Sequence, residues 1–174
     1  MTSFTELTLA MPKPSQPDLP PEQIEAVVGV DTASDRWHMY CDNGLYQCVS
    51  KLHKDIPAIQ KRYTLYHAAR TAFANLPYRT MLVIEEPLAL KNGKTTRLLS
   101  MACGVIEAAS YDQGGIYVYY ADVSQWKKEV IGNGNADKNM IKMWVTLNMG
   151  LTFDEPDYYD AAALSIYGHR LLGR

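Results

Sequence analysis

Short apolar runs and longer amphipathic stretches alternate along the chain, and their periods predict its elements. Residues 26–31 read Ala-Val-Val-Gly-Val-Asp, a continuous apolar run closed by a carboxylate. That is the pattern of a buried strand that stops and turns at Asp31. Residues 36–42 set Trp37, Met39 and Cys41 against His38, Tyr40 and Asp42, the period of two that a strand imposes. Asn43-Gly44 is a two-residue hairpin signal, so residues 45–50 return as a third strand. Residues 80–85 and 116–120 are two further apolar runs of strand length.

Between the runs the period lengthens to that of a helix. Residues 55–75 place Ile56, Ile59, Tyr63, Tyr66, Ala69 and Phe73 at helical spacing. Residues 94–109 do the same with Leu98, Met101, Ala102, Val105 and Ile106, which are predicted to point inward. A short helical turn is predicted over 123–130 and helices over 135–148 and 157–172, the last with a small-residue face from Ala161 to Ala163. The order βββ-α-β-α-β-α-α mixes an antiparallel hairpin set with parallel crossovers. It predicts an α/β domain whose five-stranded mixed sheet carries helices on both faces.

Composition adds boundaries. Five of the nine prolines fall between Pro12 and Pro21, which disfavours helix and central strand there. Residues 1–25 are therefore expected to be a flexible leader and residues 26–174 the domain. The net charge is −2, but the leader alone contributes −3, leaving the body at +1, a balance that neither requires nor excludes nucleic acid. Three cysteines without CxxC spacing point to a reducing compartment and away from a zinc site. With no apolar run of membrane-span length and no basic, apolar start, a cytoplasmic protein is expected.

The candidate chemistry lies in the carboxylates. Asp31 and Glu85 each close an apolar run, and if the two strands are neighbours both acids emerge at one sheet edge. Asp157 and Asp160 stand three residues apart and share a helix face at its first turn, where the positive dipole end favours their ionised forms. Asp157 also reads as an ordinary helix cap. Asp160 faces the alanine-rich side, where an unpaired charge is costly. A hard divalent cation would relieve the repulsion between them. Glu86 is sent to the face opposite Glu85 by strand alternation, and Asp154 and Glu155 read as solvated loop acids.

Taken together, Val-Gly-Val-Asp31, Val-Ile-Glu85-Glu, the segment from Lys127 through Gly132 and Gly134 to Lys138, and Asp157-Tyr-Tyr-Asp160-Ala-Ala resemble the RuvC family of Holliday-junction resolvases. The resemblance runs from about Val27 to His169. It implies a ribonuclease-H-like fold and a homodimer acting on branched DNA, four-way junctions above all, by paired metal-dependent nicks. It assigns Asp31, Glu85, Asp157 and Asp160 as catalytic metal ligands, with two Mg²⁺ ions per site and Mn²⁺ as a substitute. It also assigns Lys127 and Lys138 to DNA phosphates, a role their flanking of Gly132 and Gly134 suits, since glycines allow close approach and lysines act as point charges.

The chain departs from the family at two places. Thr32-Ala33 follows the first Asp where Pro-Gly is usual, and Leu88 stands where a base-stacking Phe is often found. Leucine can wedge between bases but cannot stack on them. Such departures suit a divergent, phage-encoded member. Two alternatives keep the same residues: a related nuclease for flaps, forks or RNA/DNA hybrids, and a junction-binding module without catalysis. A sugar-kinase or actin-like ATPase would need a phosphate-binding Gly-rich loop and a much longer chain.

Overall fold

A computed structural model describes residues 21–44, 46–49, 51–87 and 93–174. Five strands form one sheet: β1 (Ala26–Ala33), β2 (Arg36–Cys41), β3 (Tyr46–Val49), β4 (Thr80–Glu85) and β5 (Ile116–Ala121). Their spatial order is β3-β2-β1-β4-β5. β1 pairs antiparallel with β2 and parallel with β4, and β4 pairs parallel with β5. The mixed five-stranded sheet is as expected, and β1 and β4 are indeed neighbours.

Alternation along the strands divides the core in two. Ala26, Val28 and Val30 of β1, with Leu82 and Ile84 of β4, face α1 (Ala58–Phe73) and α2 (Gly93–Gln113). Val27 of β1, with Met81 and Val83 of β4, faces the side carrying α3 (Val123–Ile131), α4 (Lys138–Met149) and α5 (Asp157–Leu171). Each fully buried side chain the size of Leu or Phe contributes about 1.5–3 kcal/mol, so both layers bind the sheet firmly. By the same period, Gly29 and Asp31, two and four residues after Val27, point to the α5 side.

α5 lies directly over β1 because both are small at the crossing. A Cβ on Gly29 would overlap the Ala161 carbonyl, and one on Gly168 would overlap the side chains of Val27 and Val83. Ala161, Ala162 and Ala163 are fully buried there. This close approach holds the N-terminus of α5 against the end of the sheet.

Several expectations change. β1 does not stop at Asp31 but runs on to Ala33, so Thr32-Ala33 is strand and the hairpin turn is Ser34-Asp35. The β2–β3 ladder pairs Tyr40 with Tyr46, a register that needs a longer connection than Asn43-Gly44, with Gly44 at φ 84°. Such a loop closes with a left-handed residue, the position glycine fills. The 123–130 turn is a full helix, capped by Asp122 and ended by Gly132 in the left-handed region. The 135–148 helix starts at Lys138, capped by Asp137.

The apolar positions of α1 do not all face the core, nor does the whole predicted inward face of α2. Ile59 and Tyr63 are 71% and 65% exposed, and Met101 of α2 is 41% exposed, while Leu65, Ala69, Ala72 and Phe73 are buried. Periodicity finds an apolar face without saying what covers it. Of the proposed leader, residues 21–23 form a short 3₁₀ turn and Ile24 is buried in the core; residues 1–20 lie outside the described residues.

Candidate active site

The parallel register fixes the first two acids. The last recorded β1–β4 pair is Val30 with Ile84, so Asp31 and Glu85 come next on adjacent strands, on the same face and at the same edge. The antiparallel register adds a residue that the sequence did not single out: His38 pairs with Asp31 across β1 and β2. It is completely buried on the α5 face, its ring edge-on to Tyr158 with centroids 4.9 Å apart.

α5 supplies the other two acids. Its N-cap is Pro156, so Asp157 is the first helical residue and does not serve as the cap. Its carboxylate instead accepts from Arg36 Nε at 2.9 Å and from Lys138 Nζ at 2.5 Å. Lys138 Nζ also lies 3.7 Å from Asp160 Oδ2. Asp157 and Asp160 are both buried. Donor atoms of Asp31, His38 and Asp157 lie within 4.8 Å of one another.

Charge crowding is visible in the acid strengths. Burial, reinforced by Asp160, Asp157 and Glu85, raises Asp31 to about 8. Burial also raises Asp160, to about 6, against the opposing pull of Lys138. Glu85 is raised by burial, opposed first by Lys127 and then by the nearby Trp126 indole, whose N–H falls outside hydrogen-bond geometry. Burial would raise Asp157 too, but the hydrogen bonds from Lys138 and Arg36 outweigh it and hold the group below the usual carboxylate range. One acid of the four is thus kept ionised by cations, and the other three wait for a partner.

Lys127 reaches the site from α3, near enough to act on Glu85 and Asp160, with its ammonium 5.5 Å from the Trp126 ring centroid. Gly134 does not open the intervening loop toward a ligand; a Cβ there would lie 2.9 Å from the Ser124 carbonyl, so its small size serves packing. Glu86 is exposed, and although strand alternation turns it from Glu85 it still lines the groove beside the acids. Leu88 lies outside the described residues. A groove of ≈ 160 Å³ opens beside the acids, lined by Asp31, Thr32, Glu85, Glu86, Pro87, Leu99 and Cys103.

Arg36, His38 and Glu155 are the residues that sequence reasoning missed. Glu155 is not merely a solvated acid: its Oε2 lies 2.8 Å from His38 Nε2. A buried histidine opposite a candidate ligand was the available signal, since His38 falls on the same alternating face as Asp31 once the hairpin is registered.

The family model for crossover junction endodeoxyribonuclease RuvC matches residues 43–168. The chain belongs to the RuvC family. Members of this family are metal-dependent endonucleases, hydrolases of phosphodiester bonds in crossover junctions. Two Thermus thermophilus RuvC structures share the fold at 18% identity. One covers 84% of this chain and 96% of that one with a TM-score of 0.67; the other, in complex with a Holliday junction substrate, covers 82% and 91% with 0.66. Identity this low marks a divergent RuvC. No curated protein matches. The sheet order and two-sided helices are the ribonuclease-H-like arrangement of that fold.

The donor set fits a divalent metal. Three raised carboxyl groups and a buried, unpartnered imidazole nitrogen at one sheet edge are groups that a cation would satisfy together. No helix among the described residues is long and apolar enough to cross a membrane.

Proposed function

We propose that this RuvC-family chain resolves four-way DNA junctions by paired, symmetric, Mg²⁺-dependent nicks. The observation that carries this reading is the convergence of Asp31 and Glu85 with the acids that open α5, at one edge of the sheet. Asp31, Glu85, Asp157 and Asp160 would hold two ions, with Asp31 common to both sets. When bound, such a pair supplies an activated water and neutralises the leaving 3′ oxygen.

The chain's own residues do the rest. Lys138 and Lys127 stand beside the acids and would meet the phosphates on either side of the scissile one. The rigid seat of α5 on β1 keeps the two acids of its first turn at fixed distance from Asp31. Leu88 would enter the junction as an apolar wedge. Free Cys41, Cys48 and Cys103 suit a cytoplasmic location.

A homodimer would set two such sites across the two-fold axis of a junction. The exposed apolar Ile59 and Tyr63 of α1 and Met101 of α2, with Gly104 and Val105 beside them, support a dimer contact on this face. The decisive experiment follows labelled four-way junction with and without Mg²⁺ and maps the product ends, with flap, fork and RNA/DNA hybrid beside it. Symmetric nicks in opposite strands are expected. Cleavage confined to flaps or hybrids would move the assignment to a related nuclease. Metal-independent binding without nicking would leave a junction-binding module.

A further inference from the structure

We propose that His38 is a nitrogen ligand of the metal centre, its Nδ1 completing the donor set of Asp31 and Asp157. The inference rests on the metal-dependent reading above and names a ligand that the four-acid scheme lacks. His38 is completely buried, yet its Nδ1 has no hydrogen-bond partner. That atom lies 3.8 Å from Asp157 Oδ2, and a ring nitrogen of His38 lies within 4.8 Å of an Asp31 oxygen. A buried imidazole nitrogen left without a partner is costly, and a cation shared with the two carboxylates removes that cost.

The opposite ring nitrogen is prepared for this role. Nε2 lies 2.8 Å from Glu155 Oε2, so the ring donates its Nε2–H to Glu155 and presents the Nδ1 lone pair to the acids. A carboxylate that fixes the tautomer from behind is the usual support of a metal-binding histidine. Tyr158, edge-on to the ring, fixes its plane. Glu155 and Tyr158 flank Asp157 in sequence, so one turn of chain positions both the carboxylate and the imidazole. Arg36 Nε takes one lone pair of Asp157 Oδ2 and leaves the other available.

A nitrogen donor changes which metals the site prefers. Mg²⁺ favours oxygen ligands, whereas imidazole favours transition ions. Mn²⁺ is therefore expected to bind more tightly than Mg²⁺, and the preference should shrink without His38.

The test uses the full chain loaded with Mn²⁺ and read by pulsed electron paramagnetic resonance. Nitrogen modulation of the Mn²⁺ signal is expected, and labelling the histidines with ¹⁵N should convert it. Of the four histidines, only His38 lies in this donor cluster. This readout needs no variant, so a fold that cannot tolerate a change at His38 leaves it intact. In a folded His38→Gln the modulation disappears, and Mn²⁺ affinity falls by roughly tenfold or more while Mg²⁺ affinity falls less; Glu155→Ala keeps the modulation with affinity lowered roughly tenfold.

Mn²⁺ bound without nitrogen modulation overturns the ligand role of His38 and leaves the carboxylate site standing. An intense thiolate band on Co²⁺ loading would place the ion with Cys48, His38 and Glu155 instead, and also overturns it. Absence of any Mn²⁺ binding would remove the metal-dependent reading itself.

Discussion

Lys138 Nζ lies 2.5 Å from Asp157 Oδ1, so a lysine assigned to DNA phosphate is bonded to a candidate metal ligand when neither DNA nor metal is bound. The contact makes the ammonium a stand-in for a cation. If Asp157 takes up a metal, Lys138 is expected to be released toward the DNA backbone. Lys138→Met should therefore reduce the nicking rate by roughly 10²-fold, the usual effect of removing a group that stabilises developing charge. It should also lower the slope of log affinity against log salt by about 0.9, as expected for one lost phosphate contact. Single-turnover cleavage and a salt titration of junction binding measure the two effects separately. A loss of binding with no change in slope would count against the phosphate role.

The raised acids make metal binding depend on pH. Asp31 loses its proton at about 8 and Asp160 at about 6 when no metal is present. Ligation needs both ionised, so binding releases protons and apparent affinity rises with pH across this window, flattening above it. Calorimetry of Mg²⁺ binding in buffers of different ionisation enthalpy gives the proton count. The expected number approaches one at pH 7, largely from Asp31.

The same shifts set a stability profile with a definite sign. An unfolded Asp loses its proton near about 4, but folded Asp31 keeps it to about 8. Stability is therefore full below the unfolded value and declines as pH rises through the folded one. The metal-free protein should melt at a lower temperature at pH 8 than at pH 5, by about 2–4 °C for each kcal/mol lost. Saturating Mg²⁺ should remove much of the difference, and Asp31→Asn should flatten the profile while abolishing nicking and retaining junction binding. Unchanged cleavage by Asp31→Asn in Mg²⁺ would remove this residue from the site.

Much of this site could be read along the chain, because period-two alternation fixes faces without knowledge of partners. It sent Glu85 and Glu86 to opposite faces, and the spacing of Asp157 and Asp160 put them on one helix turn. The missed contacts all depend on distance in sequence. Arg36 meets Asp157 across 121 residues and His38 meets Glu155 across 117, so only the folded position of α5 reveals them. Likewise the apolar face of α1 was correctly seen, but Ile59 and Tyr63 face outward because the helix offers two apolar sides and the sheet covers only one. The extension of β1 past Asp31 was hidden because Thr32-Ala33 carries no turn signal and no strong strand signal.

That outward face gives a prediction for paired cleavage. If Ile59, Tyr63 and Met101 meet a second copy, charge placed there should separate the copies at little cost to the fold, since their side chains are already exposed. Ile59→Asp with Met101→Asp should shift the protein to monomer in light scattering while leaving its melting temperature nearly unchanged. The monomer retains its own acids, so single nicks should continue, and coordinated opposite-strand nicking should be lost. A double variant that stays dimeric and still makes paired nicks would place the contact elsewhere.

Gly29 offers a separate test of the link between packing and chemistry. A Cβ there overlaps the Ala161 carbonyl, which is helix backbone and cannot rotate away. Gly29→Ala must displace α5 from β1, at a cost of roughly 1–3 kcal/mol for an overpacked core. Any displacement is passed on to Asp157 and Asp160, four residues and one residue before Ala161, and a small misplacement of reacting groups can cost on the order of 10²-fold in rate. The nicking rate should therefore fall far more than the population of folded protein, which thermal melting monitors alongside. The contrast is with Gly93, whose Cβ would meet open space: Gly93→Ala should leave fold and rate per site essentially intact. If Gly29→Ala nicks at the normal rate, α5 is free to shift without disturbing its acids, and the rigid coupling between β1 and the first turn of α5 is wrong.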